Sequence, residues 1–205
     1  MAEQRVATAP AGETDRLLTV PNVVTLLRLL CLPLFLYLLF GLDDQLAAGW
    51  LLGILGATDW VDGYLARRLG QVSEFGKKFD PTVDRLLFIV AIIAIIIAGA
   101  APVWFCVAVL ARELLVGGAI AIATVFLGLP RFDVLWWGKV GTFLLLCAIP
   151  AFVIGSSDFT LDWLFWAGAW VLGIPGLVIS WVTAFVYLRK IRAGLADRRA
   201  AETPL

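Results

Sequence analysis

The chain contains no histidine among its 205 residues. That removes any His-based catalytic triad, His-ligated zinc site or imidazole general base. Acid–base or metal chemistry therefore has to run on carboxylates. Charge is scarce as well. Only 16% of residues are charged and 61% are hydrophobic, whereas a soluble domain keeps about 25% and roughly 45–50%. The solvent is mostly lipid. Cysteine is limited to Cys31, Cys106 and Cys147, each in a separate apolar stretch with no paired spacing. They read as small core hydrophobes rather than a disulfide or thiolate site. No internal repeat is visible, so the inverted-repeat signature of many secondary transporters is missing.

What is present is apolar sequence in lengths suited to a bilayer, where a helical span takes about 20 residues. Six segments qualify, at 23–41, 46–68, 81–99, 102–127, 138–156 and 164–188. Turn-forming sequence separates them: "GLDDQ", "LGQVSEFGKK", "AGAAP", "GLPRFD" and "GSSDFTLD". The fold expected is all-α, an integral membrane protein of six transmembrane helices. The opening "MAEQRVATAPAGETDR" reads as a flexible polar arm over 1–16, not a cleavable signal. Residues 17–190 form the membrane domain and 191–205 a basic tail. With both termini in the cytoplasm, Arg5, Arg16, Arg67, Arg68, Lys77, Lys78, Arg131, Lys139, Arg189, Lys190, Arg192, Arg198 and Arg199 all fall inside. The outer loops carry Asp43, Asp44, Asp158 and Asp162 but no Lys or Arg, a complete positive-inside bias. Trp50, Trp163 and Trp166 suit the outer interface, and Trp136 and Trp137 the inner one.

Against this background, "TDWVDGYLARRLGQVSEFGKKFDPTVDRL", residues 58–86, is costly. An acid at the centre of a span costs at least ~2.5 kcal/mol and marks function by default. With Asp59 at zero on a helical projection, Ala66 falls near about −20°, Asp62 about −60°, Gly63 about +40° and Arg67 about +80°. These five share one stripe of the second span. In the third, Asp80 and Asp84 are four apart and face the same way, and the stripe continues into Leu87 and Ala91. The polar surface is thus confined to the cytoplasmic end. Asp80 before Pro81 also reads as a plain helix cap, and Asp84 beside Arg85 as a pair at the membrane rim.

Converging carboxylates repel one another unless protons or cations intervene. Oxygen ligands without His or Cys favour a hard ion such as Mg²⁺, with Mn²⁺ or Ca²⁺ possible. Such an ion in a cytoplasm-facing cleft commonly holds phosphates. Gly63 and Ala66 leave room for a ligand to approach the backbone, and the Arg67 guanidinium suits a phosphate.

The spacing D-x2-D-G-x2-A-R-x8-G-x3-D-x3-D places eight fixed residues over 26 positions, from Asp59 to Asp84. It resembles the signature of the CDP-alcohol phosphatidyltransferases, as do "PNVVTLLRL", "ARELL" and "GKVGT" elsewhere in residues 20–190. The resemblance implies transfer of a phosphatidyl group from CDP-diacylglycerol to a hydroxyl, with release of CMP. It implies metal ligation by Asp59, Asp62, Asp80 and Asp84, and Asp84 as the general base. It places Asn22, Thr25, Gly63, Ala66, Arg67, Ser73 and Gly76 at the CDP-lipid.

For the acceptor, "ARELL" is similar to phosphatidylglycerophosphate synthases and implies glycerol 3-phosphate. Yet "VGGAIAIA" and "GKVGTFLLL" depart from those enzymes, which leaves phosphatidylglycerol as acceptor, giving cardiolipin, as the alternative. Arg112 and Lys139 are candidates for the acceptor phosphate. Arg112 also reads as a structural ion pair, and Lys139 as an interfacial anchor. The expected setting is the inner (cytoplasmic) membrane, with the site facing the cytoplasm. The partners are the bilayer and these substrates, with no nucleic acid. Gly117 and Gly118 suggest close helix packing, possible in a homodimer. A different class, an ion or proton transporter using intramembrane carboxylates, predicts acids near the midplane with access from both sides. An inactive paralogue acting as a partner subunit is disfavoured, since no motif position is lost.

Overall fold

Long apolar runs in a medium without hydrogen-bonding solvent satisfy their backbone only as helices or closed barrels, and here they are helices. The computed structural model describes the backbone over residues 20–69, 74–122 and 136–202. Side chains are described over 26–58, 85–119, 122 and 136–195. The arm 1–16 and Ser73 fall outside the described residues. The side chains of Asn22, Thr25, Asp59, Asp62, Gly63, Ala66, Arg67, Gly76, Asp80 and Asp84 do too. Six α-helices follow one another: α1 Val20–Leu36, α2 Gln45–Leu69, α3 Glu74–Ala98, α4 Val103–Ala121, α5 Trp136–Gly155 and α6 Asp162–Glu202. A π-helical turn, Tyr37–Gly41, extends α1. No strand occurs among the described residues.

Two boundaries differ from expectation. α3 begins at Glu74, not near residue 81, so Asp80 lies inside the helix and is no N-cap. An acid at the first helical position favours this earlier start through the helix dipole. α6 runs on across residue 190 to Glu202, so the basic tail continues a helix. The short connections are built locally. Asp44 caps α2, its Oδ1 accepting from the Ala47 N–H at 2.9 Å. Gly99 at φ +66 closes α3, with Ala100 N–H donating to the Ile95 carbonyl at 3.1 Å.

Each helix packs on two neighbours, in the order α1, α2, α5, α6, α4, α3 and back to α1. The described helices thus form a ring. The half near the 42–44, 99–102 and 156–161 connections is solid. Phe105 and Phe152, both fully buried, have ring centroids 5.1 Å apart. Trp170 stands edge-on to Phe152 at 5.0 Å, and Trp166 does so at 5.2 Å. Trp166 is therefore a core residue more than an interfacial one, whereas Trp50, Trp163, Trp136 and Trp137 are at least half exposed. Helices α5 and α6 approach closely: a Cβ on Gly141 would lie 2.9 Å from Ser180 Oγ, and one on Gly155 2.6 Å from the Trp166 backbone nitrogen. The outer surface is apolar, with Leu27, Leu30, Ile97, Trp104, Val171 and Val182 each more than half exposed. Trp136–Gly155 and Asp162–Leu195 are long and apolar enough to cross a membrane. The cysteines are all unpaired.

Candidate active site

The other half of the ring encloses a cavity of about 300 Å³, lined by α1 to α5. On α2 the lining residues are Leu52, Leu55 and Gly56. Helix α2 then continues unbroken to Leu69. Positions 59, 62 and 63 follow at spacings of three, four and seven, the intervals that keep residues on one helical face. On α3 the lining includes Leu87, Phe88 and Ala91, and positions 84 and 80 precede them in the same register on a helix that starts at Glu74. On α1, Thr25 stands three before the lining Arg28, with Asn22 one turn earlier. The cavity-lining stripes of three helices therefore run, toward one end of the ring, into the positions of the sequence motif.

The cavity wall itself holds charges that the motif does not contain. Arg28, Arg85, Arg112 and Glu113 line it, together with Thr142. Arg112 is 9% exposed, and its terminal nitrogen donates to Glu113 Oε2 at 2.9 Å. The other Glu113 oxygen lies 3.8 Å from Arg85 Nε. Arg112 Nε is buried without a hydrogen-bond partner, a donor left over in a water-poor site. The Arg85 guanidinium lies against the bare face of Gly117, where a Cβ would come within 3.1 Å of its central carbon. Gly117 thus serves a contact within the chain, while a Cβ on Gly118 would meet nothing.

The two acceptor candidates are placed differently. Arg112 lines the cavity and also makes the structural ion pair that was its other reading. Lys139 is exposed in the first turn of α5 and is not part of the lining. It precedes Thr142 by three, so it extends the lining stripe of Thr142, Leu145 and Ile149 toward the same open end. The "GKVGT" run splits its labour. Gly138 and Gly141 are buried against α6, and Thr142 faces the cavity while its hydroxyl donates to the Gly138 carbonyl at 2.9 Å.

Sequence reasoning missed Arg28 and Glu113, and read Arg85 as a neighbour's counter-ion. A signal was available. Of the 16 basic residues, 13 lie in the polar connections, in the terminal segments or at the ends of the apolar runs. The three left inside apolar spans are Arg28, Arg85 and Arg112, the three that line the cavity.

Carboxylate positions with neither imidazole nor thiolate suit a hard divalent ion. Among the described residues no group of three potential ligands gathers; the four aspartate side chains lie outside them.

Comparison with known proteins matches this architecture. The CDP-alcohol phosphatidyltransferase family profile matches residues 18–188. A Streptomyces coelicolor protein named cardiolipin synthase (CMP-forming) is 32% identical over 187 residues, covering 88% of this chain and 86% of its own. Two proteins named CDP-diacylglycerol–glycerol-3-phosphate 3-phosphatidyltransferase are also similar. The Rickettsia felis one is 34% identical over 172 residues, 81% of this chain and 87% of its own. The Bacillus subtilis one is 31% identical over 155 residues, 69% and 79%. With a matching profile over most of its length and relatives aligned nearly end to end, the chain belongs to the CDP-alcohol phosphatidyltransferase family, enzymes of phospholipid synthesis.

Proposed function

We propose that the protein transfers a phosphatidyl group from CDP-diacylglycerol to the hydroxyl of a phosphate-bearing alcohol, releasing CMP at the cytoplasmic face of the inner membrane. One observation carries this reading: stripes lining a guanidinium-walled cavity run in register into the positions of Asp59, Asp62, Gly63, Asp80 and Asp84. All six helices cross the bilayer with both termini cytoplasmic, which the apolar outer surface and the one-sided distribution of Lys and Arg support.

Asp59, Asp62, Asp80 and Asp84 would hold Mg²⁺ or Mn²⁺, which when bound neutralises the diphosphate and eases departure of CMP. The residues of the chain do the rest. Asn22, Thr25, Gly63, Ala66, Arg67, Ser73 and Gly76 seat the CDP-lipid. Asp84 takes the proton from the acceptor hydroxyl. The oxygen attacks the β-phosphorus, the bond to the CMP phosphate breaks, and CMP leaves with the electron pair. Arg112, with Lys139 at the rim, binds the acceptor phosphate, and Glu113 fixes the Arg112 fork.

A transporter is disfavoured by the far half of the ring, where Phe105, Phe152, Trp166 and Trp170 fill the interior. Purified protein given CDP-diacylglycerol and Mg²⁺ is expected to release CMP only with an acceptor present. No CMP with either glycerol 3-phosphate or phosphatidylglycerol would refute the reading.

A further inference from the structure

We infer that Gly117 is a positioning residue for substrate binding: with Glu113 it seats the Arg85 guanidinium flat on α4, as a second clamp on the phosphate that Arg112 binds. This rests on the reading of Arg112 as the group that takes the acceptor phosphate.

Arg85 reaches from α3 to two points on α4. Glu113 and Gly117 are four residues apart, so they share a helical face. A Cβ on Gly117 would lie 3.1 Å from the guanidinium carbon and 3.2 Å from each terminal nitrogen. With the carbon nearest and the nitrogens equidistant, the plane lies flat over the glycine and not edge-on to it. One turn away, Glu113 Oε1 lies 3.8 Å from Arg85 Nε. That ion pair is too long for a hydrogen bond, so Glu113 holds Arg85 by charge and leaves its N–H donors unspent. The other Glu113 oxygen takes Arg112 at 2.9 Å, and Arg112 Nε also has a donor to spare. Two guanidiniums thus converge on one carboxylate in the cavity wall, and with Arg28 they outnumber it in charge three to one. A phosphate set between them meets both the charge and the donor geometry.

The seat depends on the missing side chain. A Cβ at position 117 would press on the guanidinium face inside contact distance and push the plane off α4, turning its fork. The far end of a long side chain yields easily, so the cost falls on the aim of Arg85 more than on helix packing. Gly118 has no such duty, since a Cβ there meets nothing within 4 Å.

The test is CMP release by the full-length protein in detergent with CDP-diacylglycerol, Mg²⁺ and whichever of glycerol 3-phosphate and phosphatidylglycerol it turns over. Gly117→Val is expected to raise the acceptor KM at least ~10-fold, the loss of one hydrogen bond to a charged group, and Gly117→Ala about 5-fold. The donor KM and kcat stay within about a factor of two, and Gly118→Ala changes none of them. Arg85→Lys supplies a readout that packing alone would not move. It raises the acceptor KM by itself, since an ammonium has no plane to lay on the seat. On that background Gly117→Val adds less than about 2-fold, as for residues acting through one contact. An equal penalty from Gly117→Val with and without Arg85→Lys would make Gly117 a packing residue and overturn the inference. So would an acceptor KM unmoved by Gly117→Val, or a rise in the donor KM, alone or with the other. Where a thermal scan shows Gly117→Val unfolded, Gly117→Ala with and without Arg85→Lys carries the same comparison. Wild-type protein that releases no CMP with either acceptor would instead bring down the transferase reading itself.

Discussion

Replacing Arg112 by lysine separates charge from geometry at the cavity wall. The side chain is 9% exposed, one terminal nitrogen is 2.9 Å from Glu113, and Nε is buried without a partner. Lysine keeps the positive charge but cannot hold Glu113 and present a second planar donor to a phosphate. Losing one hydrogen bond to a charged group costs about 1.5–3 kcal/mol. At 1.4 kcal/mol per decade, the acceptor KM should rise about 10- to 150-fold. The donor KM should stay within a factor of about two and kcat within a few-fold, because uniform binding is what was removed. Glu113→Gln, which weakens the hold on both Arg112 and Arg85, should raise the acceptor KM about 3- to 10-fold. The double variant should fall short of the product of the two, as expected for residues in one network. The assay is CMP release at varied acceptor, with a thermal scan in detergent to establish folding. An acceptor KM unmoved by Arg112→Lys, or donor and acceptor KM rising together, would refute the assignment and leave Arg112 as a structural ion pair only.

Asp84→Asn should abolish CMP release while CDP-diacylglycerol still binds, measured by titration with labelled donor; retained turnover would remove it as the base. Chelation should stop the reaction and Mg²⁺ should restore it, with Asp59→Asn shifting the Mg²⁺ titration to higher concentration; a superimposable curve contradicts the ligand role. Gly155→Ala puts a Cβ 2.6 Å from the Trp166 backbone nitrogen and should destabilise by about 1–3 kcal/mol, lowering Tm. An unchanged Tm would mean α5 and α6 do not meet there as described.

The six helices were legible because a bilayer-length apolar run leaves backbone groups one solution, and the expected centres of all six coincide with α1 to α6. Their polar extensions were not. The first turns of α3, "EFGKKF", and the end of α6, "RKIRAGLADRR", carry no apolar period and resemble a loop and a tail. Nothing in such stretches distinguishes a helix projecting from the membrane from an irregular segment. The motif positions on α2 and α3 could be read because their spacing is local, three or four residues at a time. The guanidinium wall was marked only by three arginines left inside apolar runs; that Arg28, Arg85 and Arg112 share one cavity follows from the ring, which brings their three helices together. Glu113 was hidden beside Arg112, because adjacent residues on a helix diverge by about 100° and only long side chains let them pair.

The solid half of the ring has a consequence for the membrane as a whole. A molecule sealed on one side by Phe105, Phe152 and Trp170 is a cup. Whatever enters by its mouth must leave by it. Every lipid it makes is therefore handed back to the leaflet that the mouth faces, and none to the opposite one. The reaction exchanges headgroups without adding acyl chains, so it changes the composition of that leaflet and not its extent. Product in the opposite leaflet requires some separate means of moving lipid across.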